Sequence, residues 1–221
     1  MGISRGPKIV SSGLVLCLDA ANKRSYPGTG TTWRDLSGTG NNGTLTNGPT
    51  FSAGNMGSIV YDGADDSVTC NLVTSDANNV TLEAWFKITT LPGSLILYNG
   101  NSATSGYGFG HGVCGATSTT LYVFFGGINC NVVSYAGMTT NVWYQAVYTR
   151  TISPSTLNVL YVNGISRSTN TISGPVTPAG STDVGTAGYQ GNIAIARIYN
   201  RSLSATEVLQ NYNATKGRFG R

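Results

Sequence analysis

Short apolar runs separated by turn residues dominate the chain. Within residues 80–88, Leu82, Ala84, Phe86 and Ile88 place an apolar side chain at every second position. This spacing indicates a β-strand with one buried face, because successive side chains of a strand point to opposite sides. Further runs of strand character are residues 14–18, 57–61, 94–98, 121–125, 142–149 and 157–162. The pattern predicts a chain of many short strands.

Turn pairs rich in glycine and asparagine stand between these runs. Asn163-Gly164 is the strongest hairpin signal, because a type I′ turn needs a positive φ at both central residues. Similar pairs are Pro27-Gly28, Asn42-Gly43, Asn47-Gly48, Asp62-Gly63, Pro92-Gly93 and Asn99-Gly100. Regularly spaced strands joined by such turns predict a sandwich or a jelly roll.

The last strand signal is apolar on both sides. Within residues 191–200, strict alternation places Ile193 and Ile195 on one face and Ala194 and Ala196 on the other. A strand with two apolar faces is typical of an interior position that is covered on both sides.

A short helix is predicted directly after this strand, over residues 201–212. Ser204 and Glu207 have the spacing of a capping box, in which hydroxyl and carboxylate each bind a free backbone N–H group. The predicted apolar stripe behind this cap consists of Val208, Leu209 and Tyr212.

Charge is scarce, and much of the positive excess lies near the two ends. Charged residues make up 10% of the chain, whereas about 25% is usual for a soluble domain. The formal net charge is +4, with basic residues at Arg5, Lys8, Lys216, Arg218 and Arg221. Solvated tails are the favoured interpretation, and contact with an acidic neighbour is the alternative. We expect residues 1–12 to form an N-terminal extension, 13–213 one domain and 214–221 a basic C-terminal tail.

Several partners are disfavoured by what the sequence lacks. No basic motif is flanked by aromatic residues, as nucleic-acid binding would favour. No run of about 20 apolar residues predicts a membrane span. The first residues also lack the apolar core of a signal peptide. We therefore expect no nucleic-acid partner, no membrane span and no export by a signal peptide.

The four cysteines do not have the spacing of zinc ligands. Cys17 and Cys70 lie in apolar runs and are predicted to be small core residues. Cys114 and Cys130 flank a possible hairpin, so a disulfide between them is conceivable. Free thiols are favoured, because no export signal is present.

An ordered set of segments resembles one known family. The segments are 13–20 (GLVLCLDA), 33–45 (WRDLSGTGNNGTL), 60–68 (VYDGADDSV), 82–86 (LEAWF) and 160–164 (LYVNG). Together with the last strand and the capped helix, they resemble the laminin-G-like branch of the concanavalin A-like lectin/glucanase superfamily. The N-terminal sequence, including residues 26–30 (YPGTG), is similar to the corresponding sequences in virion proteins of tailed phages.

The resemblance implies an all-β jelly-roll sandwich of two antiparallel sheets with one short C-terminal helix. Relatives often bind glycans, sometimes with calcium, some branches hydrolyse polysaccharides, and others are structural. Relatives also often carry Asp-Glu where this chain has Ala194-Ile195. The loss of two carboxylates there disfavours a metal-dependent or catalytic site at this strand.

Catalysis is disfavoured by the residues themselves. Glycoside hydrolysis needs two carboxyl groups that face one sugar bond, and the only glutamates are Glu83 and Glu207. Glu207 is assigned to the helix cap. His111 is the only histidine, and Cys114 follows three residues later, but the surrounding glycines favour a flexible turn over a Cys–His nucleophile pair. We therefore expect that the protein is not an enzyme.

Two candidate binding sites follow. Aromatic residues in the middle of the chain are candidates for a glycan-binding platform: Tyr107, Phe109, Tyr122 and Phe124. About half of them are expected to lie in the core, because alternation along a strand buries every second side chain. Asp62, Asp65 and Asp66 could offer oxygen ligands to calcium. The alternative for these carboxylates is a β-turn with Asx hydrogen bonds.

The resemblance and the sequence together favour a non-enzymatic structural virion protein, such as a capsid decoration, fibre or tail-appendage subunit. Such a protein would be made in the host cytoplasm and would dock on other virion proteins, with self-association as a further option. The alternative is a carbohydrate-binding adhesion module that recognises a host surface glycan.

Overall fold

A computed structural model describes residues 7–90, 93–112, 119–127, 129–175 and 177–221. In chain order, the strands of this part of the chain are β1 (Leu14–Asp19), β2 (Thr32–Trp33), β3 (Gly43–Thr46), β4 (Thr50–Ser52), β5 (Ser58–Asp62), β6 (Ser67–Asn71), β7 (Val80–Ile88), β8 (Ser94–Asn99), β9 (Tyr107–His111), β10 (Thr120–Phe125), β11 (Asn129–Ala136), β12 (Trp143–Thr151), β13 (Leu157–Val162), β14 (Ile165–Asn170), β15 (Ser181–Val184) and β16 (Gln190–Tyr199). Helix α1 covers Ala205–Thr215, and short 3₁₀ turns cover Gly54–Met56 and Lys216–Phe219.

The strands form two antiparallel sheets. The first sheet has the order β14-β13-β12-β7-β16-β5-β4, and β1 also pairs with β16. The second sheet has the order β11-β10-β9-β8-β15-β6-β3-β2. Both sheets combine consecutive strands with pairs from distant parts of the chain, such as β7 beside β16 and β15 beside β6, as in a jelly roll. The predicted all-β sandwich with one short C-terminal helix is confirmed.

The main core lies between the inner faces of the two sheets. Strand β7 has the predicted bounds, and its alternating residues Leu82, Ala84 and Phe86 belong to this core together with Phe109 and Trp33. Burial of such side chains is the principal driving force for the sandwich, since each contributes roughly 1.5–3 kcal/mol when fully removed from water.

The hairpin between β13 and β14 confirms the turn prediction. Asn163 and Gly164 have φ values of 54° and 74°. Val162 and Ile165 pair directly across the turn. Both central residues therefore have the positive φ that a type I′ turn requires.

A β-bulge in β16 overturns one detail of the predicted alternation. The register between β16 and β7 shifts between Ile193 and Ile195. Ile193 and Ala196 consequently face the main core, whereas Ala194 and Ile195 both belong to a separate cluster on the other side of the sheet. An extra residue at a bulge reverses the side on which all later residues lie. The prediction that both faces of the strand are covered is confirmed.

Helix α1 begins as expected but presents a different face. Ser204 is the N-cap, and its capping box with Glu207 is present. Leu209 is 45% exposed, so its place in the predicted buried stripe is wrong. Residues three to four positions apart share a helix face, and the buried face consists of Val208, Asn211 and Thr215.

The end segments pack against the body of the domain. Phe219, in the predicted solvated tail, is 6% exposed and belongs to a buried cluster. Val10, in the predicted N-terminal extension, is 8% exposed, and its backbone N–H donates to Asn211 over 2.8 Å. Both segments supply an apolar side chain to the outer side of the first sheet, which explains why they dock.

The expectation of free thiols is wrong for Cys130. This residue is disulfide-bonded, and it lies exposed on β11 at the edge of the second sheet. Cys17 and Cys70 are free and buried, as predicted for core residues. Cys114 lies outside the described residues.

Candidate functional site

The outer face of the first sheet is covered by the C-terminal part of the chain. Trp85 and Trp143 lie on neighbouring strands, and Phe219 packs on both, with ring centroids 4.1 Å and 4.8 Å away. Ala194 and Ile195 complete this cluster. We call this surface the closed face. The apolar pair that replaces the Asp-Glu of relatives is therefore covered by the chain itself.

Polar contacts hold the covering segment in place. Arg218 forms an ion pair with Asp19, with 2.8 Å between Nη1 and Oδ1. The Nη2 group of Arg221 donates to the carbonyl oxygen of Trp143 over 2.9 Å. Residues 216–221 are thus bound on both sides of the aromatic cluster.

A buried polar network lies beside this cluster. The Glu83 carboxylate is fully buried and accepts hydrogen bonds of 2.8 Å from Arg197, Gln145 and Asn211. Its ion pair with Arg197 joins two neighbouring strands, and the Asn211 bond joins the sheet to helix α1. A buried charge is tolerated only when it is paired and hydrogen-bonded, so this network is structural in character.

The residues considered for catalysis are engaged or buried. Glu207 binds Arg201 at 2.6 Å as well as the helix cap. The hydrogen bonds from Arg201 lower the pKa of Glu207 from 4.5 to about 2. His111 is fully buried in β9, and Cys114, its suggested partner, lies outside the described residues. Glu83 and Glu207 thus both serve contacts within the fold.

The outer face of the second sheet has a different character. Thr44, Thr69 and Asp183 form a row across three neighbouring strands, with each residue directly paired to the next. Their sequence neighbours Leu45, Val68 and Val184 point into the main core, so the row faces outward. This part of the sheet offers hydroxyl and carboxylate groups to solvent.

Two adjoining cavities follow this row. The larger has a volume of about 480 Å³ and the smaller about 220 Å³. Both are lined by Gly180 and Ser181, so they meet at the start of β15. The other lining residues are Gly40, Asn42, Thr44, Thr69, Cys70, Asn71 and Leu72 in the larger, and Gly100, Asn101, Ser102 and Asp183 in the smaller. We call the two cavities together the open groove.

The predicted glycan platform is divided between two faces. Tyr107 and Phe109 are fully buried in the main core. The Tyr107 hydroxyl donates to the carbonyl oxygen of Asp76 over 2.6 Å. These two rings are therefore out of reach of a ligand at the surface.

Tyr122 and Phe124 lie on the outer side of the second sheet. Phe124 is 5% exposed and stacks on Tyr98, with ring centroids 4.9 Å apart. Gly108 stands between them in the sheet, and a Cβ atom there would approach the Tyr98 ring to 2.5 Å. Glycine is thus required for this stack. Tyr122 is half-buried, so it is the most accessible ring of the four.

The three aspartates of the β5–β6 turn lie close together. One oxygen from each of Asp62, Asp65 and Asp66 lies within 4.8 Å of the others. Asp62 accepts from the Ala64 N–H over 2.8 Å, which is the Asx contact of the alternative interpretation. The Asp62 N–H donates to Oδ2 of Asp66 over 2.9 Å. The geometry therefore contains both the turn and a cluster of oxygen ligands.

Asp66 is unusual within this cluster. The residue is 3% exposed, and its Oδ1 atom accepts no hydrogen bond from any residue that the structure describes. Burial raises the pKa of Asp66, and the nearby carboxylates of Asp62 and Asp65 raise it further. A bound cation would supply the missing partner, since Ca²⁺ prefers such oxygen ligands.

None of the residues that line the open groove was predicted from the sequence to bind a ligand. Its lining residues come from four separate regions, near 40–44, 69–72, 100–102 and 180–183. The one indication in the sequence was the frequency of Thr, Asn and Ser at outward strand positions and beside turn glycines, which are residues that can bind a polar ligand. No spacing along the chain links these regions, because the order of strands in the sheet brings them together.

The fold and these surfaces define a lectin-like β-sandwich. A laminin G family model, described as concanavalin A-like lectin/glucanases superfamily, matches residues 62–209. The chain belongs to this superfamily. No curated protein matches the sequence.

Solved structures with this fold include proteins of several kinds. The match to a Trypanosoma rangeli sialidase in complex with sialic acid covers 99% of this chain and 37% of the sialidase chain, with 14% identity and a TM-score of 0.69. The match to the receptor-binding domain of botulinum neurotoxin type G covers 91% of this chain and 51% of the toxin domain, with 15% identity and a TM-score of 0.69. The chain therefore spans between about a third and about half of these structures. Among the described residues, no helix is long and apolar enough to cross a membrane.

Proposed function

We propose that the chain is a non-catalytic carbohydrate-binding module that takes an oligosaccharide in the open groove. The observation that carries this proposal is the line of two joined cavities edged by side-chain hydroxyl, amide and carboxylate groups. Their sizes approach or fall within the range of ordinary ligand sites, roughly 300–1,000 Å³. The matching family model describes a lectin/glucanase superfamily, which supports carbohydrate as the class of ligand.

The absence of catalysis is part of the proposal. Among the lining residues described here, Asp183 is the single carboxyl group, whereas hydrolysis by the usual route needs two. Glu83 and Glu207 are held in contacts within the fold. Reducing-end release from polysaccharides should be absent, and release that disappears in Asp183→Asn would contradict this part of the proposal.

A glycan array probed with and without calcium tests the binding. Ser181→Trp should abolish binding, because the indole would fill the junction of the two cavities. Thr46→Trp is the matched control, since Thr46 is exposed on the same sheet but lines neither cavity. No binding by the wild type at millimolar sensitivity would overturn the proposal.

We also propose that Asp62, Asp65 and Asp66 bind calcium, supported by the buried Oδ1 atom of Asp66 without a hydrogen-bond donor. Calcium alone at millimolar concentration should raise the melting temperature, because a ligand that binds the folded state stabilises it. Asp65→Asn should remove this rise. An unchanged melting temperature of the wild type in calcium would contradict the site.

We propose finally that the module is displayed on a larger particle, as a decoration, fibre or tail-appendage subunit of a tailed-phage virion. Two cations along the closed face support a docking role: Lys87 and Lys216 lie within 5.5 Å of the Trp143 and Tyr212 rings, respectively. Mass spectrometry of purified particles tests this, and absence of the protein from them would contradict it.

A further inference from the structure

The open groove differs in charge from the rest of the molecule. The chain carries a formal net charge of +4. Among the described residues that line the two cavities there is no lysine, arginine or histidine, and Asp183 supplies the only formal charge. Lys87 and Lys216 lie on the closed face of the other sheet. A ligand in the groove therefore meets a negative site on a positively charged protein.

Asp183 is placed to act as a hydrogen-bond acceptor. It lies on β15 between Thr69 and Tyr98 of the neighbouring strands, and it is half-buried. The Ser181 hydroxyl donates to its Oδ1 atom over 3.3 Å. The pKa of Asp183 is raised above its ordinary value, mainly by burial, and hydrogen bonds from Thr69 and Ser181 offset part of this rise by favouring the charged form.

The carboxylate keeps capacity for a ligand. An ionised carboxylate accepts about four hydrogen bonds, and the hydroxyls of Thr69 and Ser181 account for two. Adjacent hydroxyl groups of a sugar are donors that suit the remaining sites. Amides from Asn71 and Asn101 at the edges of the two cavities can donate to sugar oxygens as well as accept.

We propose that the open groove selects uncharged, hydroxyl-rich oligosaccharides over acidic ones, and that Asp183 determines this preference. The inference rests on the carbohydrate-binding function proposed above. A sialic acid, uronate or sulfate group in the groove would place a second negative charge near Asp183 with no cation in the lining to balance it. Like charges in a partly desolvated site repel more strongly than in bulk water, so the acidic ligand is rejected.

Matched ligand pairs that differ only in charge test the preference. Oligogalacturonate and its methyl ester are one pair, and neutral oligosaccharides with their sialylated forms on an array are another. The wild type should bind the neutral member at least about tenfold more tightly, a difference of ~1.4 kcal/mol. This ratio should shrink at high salt, because salt screens charge repulsion.

Asp183→Asn distinguishes a specificity role from a structural one. The variant should weaken binding of the neutral ligand and bring the neutral-to-acidic ratio close to one, with an unchanged melting temperature. Asp76→Asn is the matched control, because it removes the same charge from a residue that lines neither cavity. It should leave the ratio as in the wild type.

The outcomes separate this inference from the function on which it rests. Preference for the acidic member, or a ratio that Asp183→Asn leaves unchanged, would overturn the inference while carbohydrate binding stands. Binding of no member of any pair would overturn the proposed function and this inference with it.

Discussion

The two sheets of the sandwich expose their outer faces in opposite ways. On the first sheet, Trp85, Trp143 and Ile195 face outward and are buried beneath helix α1 and Phe219. On the second, Thr44 and Thr69 occupy outward positions and line an open groove. The difference shows that the side chains of a strand decide whether its outer face is covered or stays available to a ligand.

Glu83→Ala should have the largest effect, and it tests whether the closed face is structural. The substitution leaves Arg197 buried without its partner, and breaking a buried ion pair lowers the free energy of unfolding by about 3–5 kcal/mol. Chemical denaturation measures this change. Replacing both residues, as Glu83→Gln with Arg197→Met, should recover part of the loss, and a loss below about 1 kcal/mol for Glu83→Ala would contradict the structural role.

Phe219→Ala tests the cover itself. Removing a buried phenylalanine lowers the free energy of unfolding by about 3–5 kcal/mol, and about 3 kcal/mol is expected here because the segment is terminal. Loss of the Phe219 ring should expose Trp85 and Trp143 to solvent, and their fluorescence emission should shift to longer wavelength. Leu209→Ala, at an exposed position of the same region, is the control and should leave the spectrum unchanged.

A matched pair of asparagine variants compares the two faces directly. Asn211→Ala removes a bond to Glu83 and leaves the Val10 N–H without an acceptor, so the free energy of unfolding should fall by roughly 1–3 kcal/mol. Asn71→Ala, at an exposed groove position, should change it by less than about 0.5 kcal/mol. Equal losses of unfolding free energy in the two variants, measured by chemical denaturation, would contradict the distinction between a structural closed face and an open groove.

The smallest effect concerns the acid stability of helix α1. The folded-state pKa of Glu207 is about 2, below its ordinary value of 4.5. A depressed carboxyl pKa contributes stability that is complete above about pH 4.5 and is lost as the pH falls towards 2. Glu207→Gln should therefore be less stable than the wild type at pH 6, and the gap should narrow by pH 2. A constant gap in thermal melts would contradict this.

Features encoded within a short stretch were predictable from the sequence. Strand β7 has the bounds that its alternation predicted, strand β13 has those of its apolar run, and Asn163-Gly164 forms the expected turn. Ser204 caps helix α1 through the predicted box. Each of these depends on residues only a few positions apart, so local patterns were sufficient.

Features that depend on distant residues were not predictable. The basic, glycine-rich end looked like a solvated tail, because the sequence does not show that Phe219 meets Trp85 and Trp143. The groove joins residues from four regions through strand order. Alternation also could not locate the bulge at β16, because Ala194 and Ile195 are apolar and suit either face.

The bulge in β16 restricts how the length of this strand can vary. Ile193 before it and Ala196 after it both face the sandwich interior, whereas Ala194 and Ile195 between them face the closed side. Insertion or deletion of one residue within the strand would exchange these assignments for every position beyond it. Changes of two residues would preserve the parity. Homologous chains should therefore differ in length in the loop before Gln190 and keep the parity of the strand itself.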